Sequence, residues 1–435
     1  RSMRKWMLIV IGWGWTQLAM AQTPLTLREA ISTALSANLD IRLASNEAQM
    51  ASNNAQLGAA GMLPTVQATL DPSLSRNNIR QEFINGNTLV NPNARQQSLN
   101  ANLLLNWTLF DGTAMFTNYK RLNKFEEIGA LQARAAIEQV IAEVSLAYYE
   151  TRLNLSQLAT AEKNLALSRE RLQLAEAKAG LGSASGQELL QSRVDFNADN
   201  SLVLRQQEQL LQSKIRLNQL LNRQADTDWV PVDSLPTALP VDIADLRKQV
   251  FAQNTWLQLA EMQAAVAGLD ARLTRNAMLP RVELVSGYHI NRLQSEAGFL
   301  ASNQNRGLDL GLRAGITVFD GGRLNRARKN AELNQANALL LEEREKQAMD
   351  ALLLSSFVAY DNNRKLIQME AENVAIATQN VTIAREAYRV GSISALALRE
   401  AQQQLLVAES RFMDATFAAA LHYITLQRLS GQLIR

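Results

Sequence analysis

His289 and His422 are the only imidazoles in 435 residues, and cysteine is absent. Protein metal sites gather several His, Cys or carboxylate ligands at short spacing, and neither histidine has another near it in sequence. A chain without cysteine has no thiol nucleophile, no disulfide and no thiolate-bound metal. The run GLGSASG, residues 180–186, scatters three glycines but lacks the lysine that follows the last glycine of a phosphate-binding loop. No catalytic, cofactor-binding or metal-binding set is read here, so no cofactor is expected and the chain is expected not to be an enzyme. A net charge of +3 over this length gives no argument for a nucleic-acid partner.

One polar motif does recur. Phe110, Asp111 and Gly112 return as Phe319, Asp320 and Gly321, at an offset of 209 residues. An aspartate at the start of a helix accepts hydrogen bonds from free backbone N–H groups and suits the positive end of the helix dipole. The glycine after it permits a sharp turn. The chemistry expected of this motif is therefore capping, at a joint where a strand gives way to a helix.

The elements around the motif repeat with it. NLALSRERLQLAEAKAGLGSAS from Asn164 is echoed by NVAIATQNVTIAREAYRVGSIS from Asn373, again at 209. Upstream, Leu63-Pro64 recurs as Leu279-Pro280 and Asn38 as Asn254, at 216. A self-similarity this long marks a duplicated structural unit. The chain divides into an expected signal segment 1–21, a first repeat 22–224, a proline-bearing linker 225–241 and a second repeat 242–435. Arg4 and Lys5, the apolar run WMLIVIGWGW and Ala19-Met20-Ala21 have the order of a secretory signal cleaved after Ala21.

Each repeat reads as an amphipathic helix up to its Leu-Pro, then as two strands of period two. Val66, Ala68, Leu70, Pro72 and Leu74 share one face, and Leu99, Ala101, Leu103, Leu105, Trp107 and Leu109 another. Val282, Leu284, Tyr288 and Ile290, and then Leu308 to Val318 at every second position, repeat the pattern. A polar, Asn-rich loop is expected inside each strand pair. After each Phe-Asp-Gly, 67 residues run without proline, about 100 Å of helix. Apolar residues recur there at seven, as in Leu165 and Leu172, the period of packed coiled coils. A glycine tip and a return helix follow.

Half-polar strands in an exported chain fit a tilted outer-membrane barrel, and a mean hydropathy of −0.14 rules out a bundle of apolar spanning helices. Four strands do not close a barrel, and an open edge in lipid leaves backbone groups unpaired. The barrel must therefore be shared, as eight strands in a dimer or twelve in a trimer. The other class considered is an envelope-spanning structural or adhesive coiled-coil protein, which has no need of such strands.

This duplicated order, with the tips AGLGSASGQELLQSR and YRVGSISALALREAQ, resembles the TolC-like outer-membrane efflux family, the outer membrane factors, over essentially the whole mature chain. The resemblance implies a mostly α, mixed α and β fold: a homotrimer with a twelve-strand β-barrel in outer-membrane lipid, continued by a helical tunnel in the periplasm. It implies an exit duct for efflux or type I secretion, with a periplasmic adaptor and an inner-membrane pump or exporter as partners. Counting from the tip glycines carries the family's periplasmic gate onto Glu188, Tyr388 and Glu400. Ile393 stands where an arginine completes the link in the family, and Ala397 where a second acidic ring would be. The small tip residues Gly182, Ser183, Gly391 and Ser392 are the implied adaptor contacts.

Overall fold

The structure, a computed structural model, describes residues 23–181, 186–236, 240–297 and 300–434. The expected signal segment 1–21 and the tip residues Gly182 and Ser183 lie outside them. The first repeat comprises α1 (Leu27–Ala37), α2 (Leu39–Asn54), β2 (Thr65–Glu82), β3 (Thr88–Phe110), α3 (Ala114–Gly180) and α4 (Gly186–Leu220). The second comprises α5 (Ile243–Gln253), α6 (Thr255–Asn276), β5 (Arg281–Ser295), β6 (Ser302–Gly315), α7 (Arg323–Arg389) and α8 (Ala395–Leu429). Both long helices have 67 residues and both return helices 35, so element lengths follow the 209-residue offset.

The repeated residues explain the repeated breaks. Asn38 Oδ1 accepts from the N–H groups of Asp40 and Ile41 at 2.9 and 3.3 Å, which starts α2. Asn254 does the same for α6 through the N–H of Leu257 at 3.1 Å. Side-chain acceptors of this kind satisfy the free donors of a helix N-terminus. At the other end, Asn222 and Gly431 adopt φ of 52° and 70°. Each closes its return helix with the paired bonds of a left-handed C-terminal cap, such as Arg223 N–H to Asn218 O at 2.9 Å and Gln432 N–H to Gln427 O at 2.9 Å.

Two expectations needed correction, and the linker adds a detail the sequence did not show. α2 stops at Asn54, ten residues short of Pro64, in a turn closed at Gly61 (φ 87°). The polar segments expected as loops are mostly strand, because backbone pairing continues past the apolar band to Glu82↔Thr88 and Gln294↔Ser302. The linker holds a strand, β4 (Trp229–Pro231), paired in parallel with β1 (Thr23–Leu25). Trp229, fully buried, stacks on Tyr148 of α3 at 6.1 Å between ring centroids, which anchors that ladder.

The described parts of the chain form two compact units that cut across the repeats. One takes in the ends of the long helices nearest the tips, with β1 and β4. The other holds the four-strand antiparallel sheet, ordered β2-β3-β5-β6. Its register sets Val66 against Leu105, Leu103 against Tyr288, and Tyr288 against Leu308. The apolar face foreseen in each strand is thus continuous across all four. Leu70, Leu308, Leu310 and Leu312 on that face are exposed. β2 and β6 are edge strands.

Candidate functional site

Each expected joint has the same cap. Asp111 Oδ2 accepts from the N–H of Met115 at 2.8 Å, and Asp320 Oδ2 from that of Leu324 at 2.9 Å. Gly112 and Gly321 hold φ of 68° and 71°, in the left-handed region. Phe110 is the last residue of β3, paired with Val282, while Phe319 lies four residues beyond the end of β6 and is exposed.

The tip of the second hairpin is built by α7, α8 and a glycine turn. Gly391 (φ 80°) sends its N–H to Tyr388 O at 3.1 Å, and Ser392 its N–H to Ala387 O at 2.9 Å, ending α7. The Ser392 hydroxyl also donates to Ala387 O at 3.0 Å. Ser394 Oγ then accepts from the N–H of Ala397 at 3.2 Å, starting α8.

Tyr388 and Glu188, expected as gate partners, are brought together. The Tyr388 hydroxyl donates to Glu188 Oε1 at 3.0 Å, tying the end of α7 to the start of α4. The Tyr388 ring is buried among Val381, Ala384, Leu398 and Ala401. Lys178 Nζ sits 4.0 Å from its centroid, a cation–π contact. Burial, then the bond to Glu188, push the phenol up to about 12. Ile393 packs on the same apolar cluster, filling with a hydrocarbon the place of the implied arginine. Glu400 does not join this group; it is exposed on α8, with no ion pair among the described residues.

The sequence reading missed the strongest polar contacts of this region. Arg171, its side chain 1% exposed, donates to Gln402 Oε1 at 2.7 Å and to Asp195 Oδ2 at 2.9 Å. Arg399 grips Asp199 with two bonds, at 2.6 and 2.9 Å. Paired charge-assisted bonds of this geometry are strong and directional. Burial pushes the Arg171 guanidinium below the usual arginine range, against the pull of Asp195. Two guanidinium and two carboxylate groups thus form a neutral clasp from α3 and α4 of the first repeat to α8 of the second. Every member is engaged in pairing, which suits a clasp and leaves no group poised for acid–base catalysis. A signal for it existed: Asn164, Ser168, Arg171 and Ala175 have the four-three-four spacing of a helix seam, and all four are buried. The leucine heptad drew attention to the neighbouring stripe, whose Leu165 and Leu172 are only half-buried.

No group of three or more His, Cys, Asp or Glu side chains among the described residues is placed to hold a metal ion. No helix among them is long and apolar enough to cross a membrane.

Over 415 residues the chain is 25% identical to the cation efflux system protein CusC of Escherichia coli (strain K12), spanning 92% of this chain and 85% of that protein. Over 286 residues it is 28% identical to the pyoverdine export outer membrane protein OpmQ of Pseudomonas putida, spanning 62% and 57% respectively. Its fold superposes on the solved structure of a membrane protein from Pseudomonas aeruginosa with a TM-score of 0.79 at 20% identity, covering 93% of each chain. The family described as outer membrane efflux protein matches residues 30–223 and 246–432. With nearly the whole of both repeats matched, the chain belongs to the outer membrane efflux protein family.

Proposed function

We propose that three copies of the chain close one twelve-strand barrel and form the passive exit duct of a tripartite efflux or secretion assembly. An inner-membrane pump or exporter delivers the cargo, and a periplasmic adaptor joins pump to duct. The family places the chain in the outer membrane as an efflux channel. The observation that carries the finer reading is the sheet: four strands with one continuous apolar face and two open edges. In lipid the outward backbone groups of β2 and β6 need partners, and the smallest membrane barrels have eight strands. Only further copies supply both. CusC is named for cations and OpmQ for pyoverdine, two unlike cargoes on related chains. That supports a duct whose cargo is chosen elsewhere.

In this reading Tyr388 and Glu188 hold the periplasmic gate, and Glu400 lines its mouth. Gly391 and Ser392, with Gly182 and Ser183 of the other hairpin, meet the adaptor. The two repeats act as the structural domains. The test is native mass spectrometry of the mature protein in detergent, followed by planar-bilayer recording. A trimer that conducts ions is expected. A stable single chain sinks the shared barrel, and a trimer that never conducts sinks the duct and leaves the scaffold reading.

A further inference from the structure

The apolar face of the sheet ends in an arginine on each of its four strands. On β2 the alternating run from Val66 to Leu74 is followed on the same face by Arg76. On β3 the run read back from Leu109 reaches Arg95, on β5 the run from Val282 reaches Arg292, and the run read back from Val318 into β6 reaches Arg306. Residues directly opposite across a ladder share a face. The register sets Arg76 against Arg95, Arg292 against Leu99, and Arg306 against Ile290, so all four belong to the apolar face.

Their heights describe one level. Each arginine stands ten to fourteen residues from the helical end of its apolar run, about the length of a tilted strand crossing a hydrocarbon core. From β3 to β6 the arginines step towards the helical end: Arg292 is level with Leu99, four residues from Arg95, and Arg306 with Ile290, two residues from Arg292. The helical ends of the runs step the same way, from Val66 on β2 to Val318 beyond β6. A line drawn at one height across tilted strands steps in this manner. The family's tunnel runs into the periplasm, so the arginine level is the extracellular edge of the apolar band.

No carboxylate answers these charges. Along the four runs no Asp or Glu stands on the apolar face. All four arginines are exposed, without an ion pair among the described residues. Glu296, beside this level, accepts from the backbone N–H of Arg95 at 2.9 Å. On the opposite, polar face the same sheet does pair its arginines: Arg281 and Arg313 share Glu283 at 2.7 and 3.9 Å. Like charges set directly opposite each other destabilise a ladder, so the Arg76 and Arg95 pair does not serve the fold. A cavity of about 430 Å³ opens among Leu74, Leu99, Gln97, Arg292 and Gln294, apolar on one side and rimmed by a guanidinium and two amides on the other.

We infer that this arginine collar holds the phosphate groups of a phosphorylated lipid of the outer leaflet. The guanidinium fork matches phosphate oxygens with paired donors, and one phosphate between Arg76 and Arg95 turns their repulsion into a bridge. The acyl chains of the same lipid lie along the apolar band below. The inference rests on the barrel reading for which face of the sheet meets lipid.

The test uses the full-length protein in its native assembly, stripped of lipid in a neutral detergent. It is titrated with fluorescent bis-phosphorylated lipid A, then with the same lipid after removal of its phosphates, and inorganic phosphate is added as competitor. The parent is expected to bind the phosphorylated lipid about tenfold or more tightly than the dephosphorylated one, with inorganic phosphate failing to displace it. Arg76→Gln with Arg95→Gln, and Arg292→Gln with Arg306→Gln, are each expected to weaken binding several-fold, and the four changes together to abolish the preference for phosphate. If the fourfold variant does not assemble, the two pairs carry the test. Arg281→Gln with Arg313→Gln removes as much charge from the polar face and is expected to bind like the parent. Equal affinity for the two lipids, or an equal loss from the polar-face pair, overturns the collar and leaves the arginines reaching water above the apolar band. Displacement by inorganic phosphate alone overturns it in favour of a free-anion site. Native mass spectrometry of the same samples reads the assembly separately. A trimer without phosphate preference overturns the collar and leaves the barrel reading standing, and a single-chain mass overturns both.

Discussion

Tyr388 donates from a ring only 2% exposed, and its ionisation would set a second negative charge beside Glu188. Its pKa is raised from 10.0 to about 12, first by burial and then by that bond. A raised folded pKa stabilises fully below the unfolded value and is lost as pH rises through the folded one. The contribution is therefore complete below about pH 10 and is lost between about pH 10 and pH 12, roughly 2–3 kcal/mol in all. Denaturant stability compared at about pH 8 and about pH 11 should fall by about 1–1.5 kcal/mol more for the parent than for Tyr388→Phe. Equal falls would show that this hydroxyl does not control the alkaline loss; Tyr148, also pushed up to about 12, is common to both proteins. The Tyr388–Glu188 pair was legible only through the family resemblance, which counting from the tip glycines carried onto these positions. The Arg171 clasp was not, since its partners come from α4 and α8, and no local pattern says which polar residue of a helix meets another across a seam.

The joints show how far an element can be read. Phe-Asp-Gly announced two identical strand-to-helix turns, and the caps and glycine dihedrals agree in both. Their surroundings do not. A Cβ on Gly112 would lie 2.5 Å from Leu279 Cβ and 2.8 Å from Asn276 O, whereas one on Gly321 meets nothing within 4 Å. Left-handed backbone alone costs an alanine about 1–2 kcal/mol at either site. Gly112→Ala adds a clash with backbone and should lower the yield of folded chain severely, a loss above roughly 4 kcal/mol. Gly321→Ala should fold, at the smaller cost. Equal folded yields for the two variants would mean that the joint is not held as described. Sequence alone gave the two glycines the same role, because the difference lies in which neighbour stands against each.

At the scale of the whole molecule, three copies would bring three Glu400 carboxylates and three Tyr388–Glu188 links to one narrow entrance. Like charges ringed around a pore raise the local concentration of counter-ions. Glu400 is exposed and forms no ion pair among the described residues, so its charge is free to act on passing ions. Glu400→Gln should then reduce cation selectivity and weaken block by multivalent cations, while leaving the frequency of opening unchanged. In the proposed gate the links would act on opening instead. Each is worth about 0.5–1.5 kcal/mol as a hydrogen bond in a partly wet site. Three independent losses, in Glu188→Ala with Tyr388→Phe, should raise open probability several-fold with selectivity unchanged. The Arg171 and Arg399 clasp joins α3, α4 and α8 through other side chains and keeps all its groups, so helix content by circular dichroism should match the parent. Single-channel recording in planar bilayers reads both effects on one preparation. If the double variant opens like the parent, the Tyr388–Glu188 bond fastens helices without gating. If Glu400→Gln leaves selectivity unaltered, Glu400 is a solvated helix residue outside the mouth.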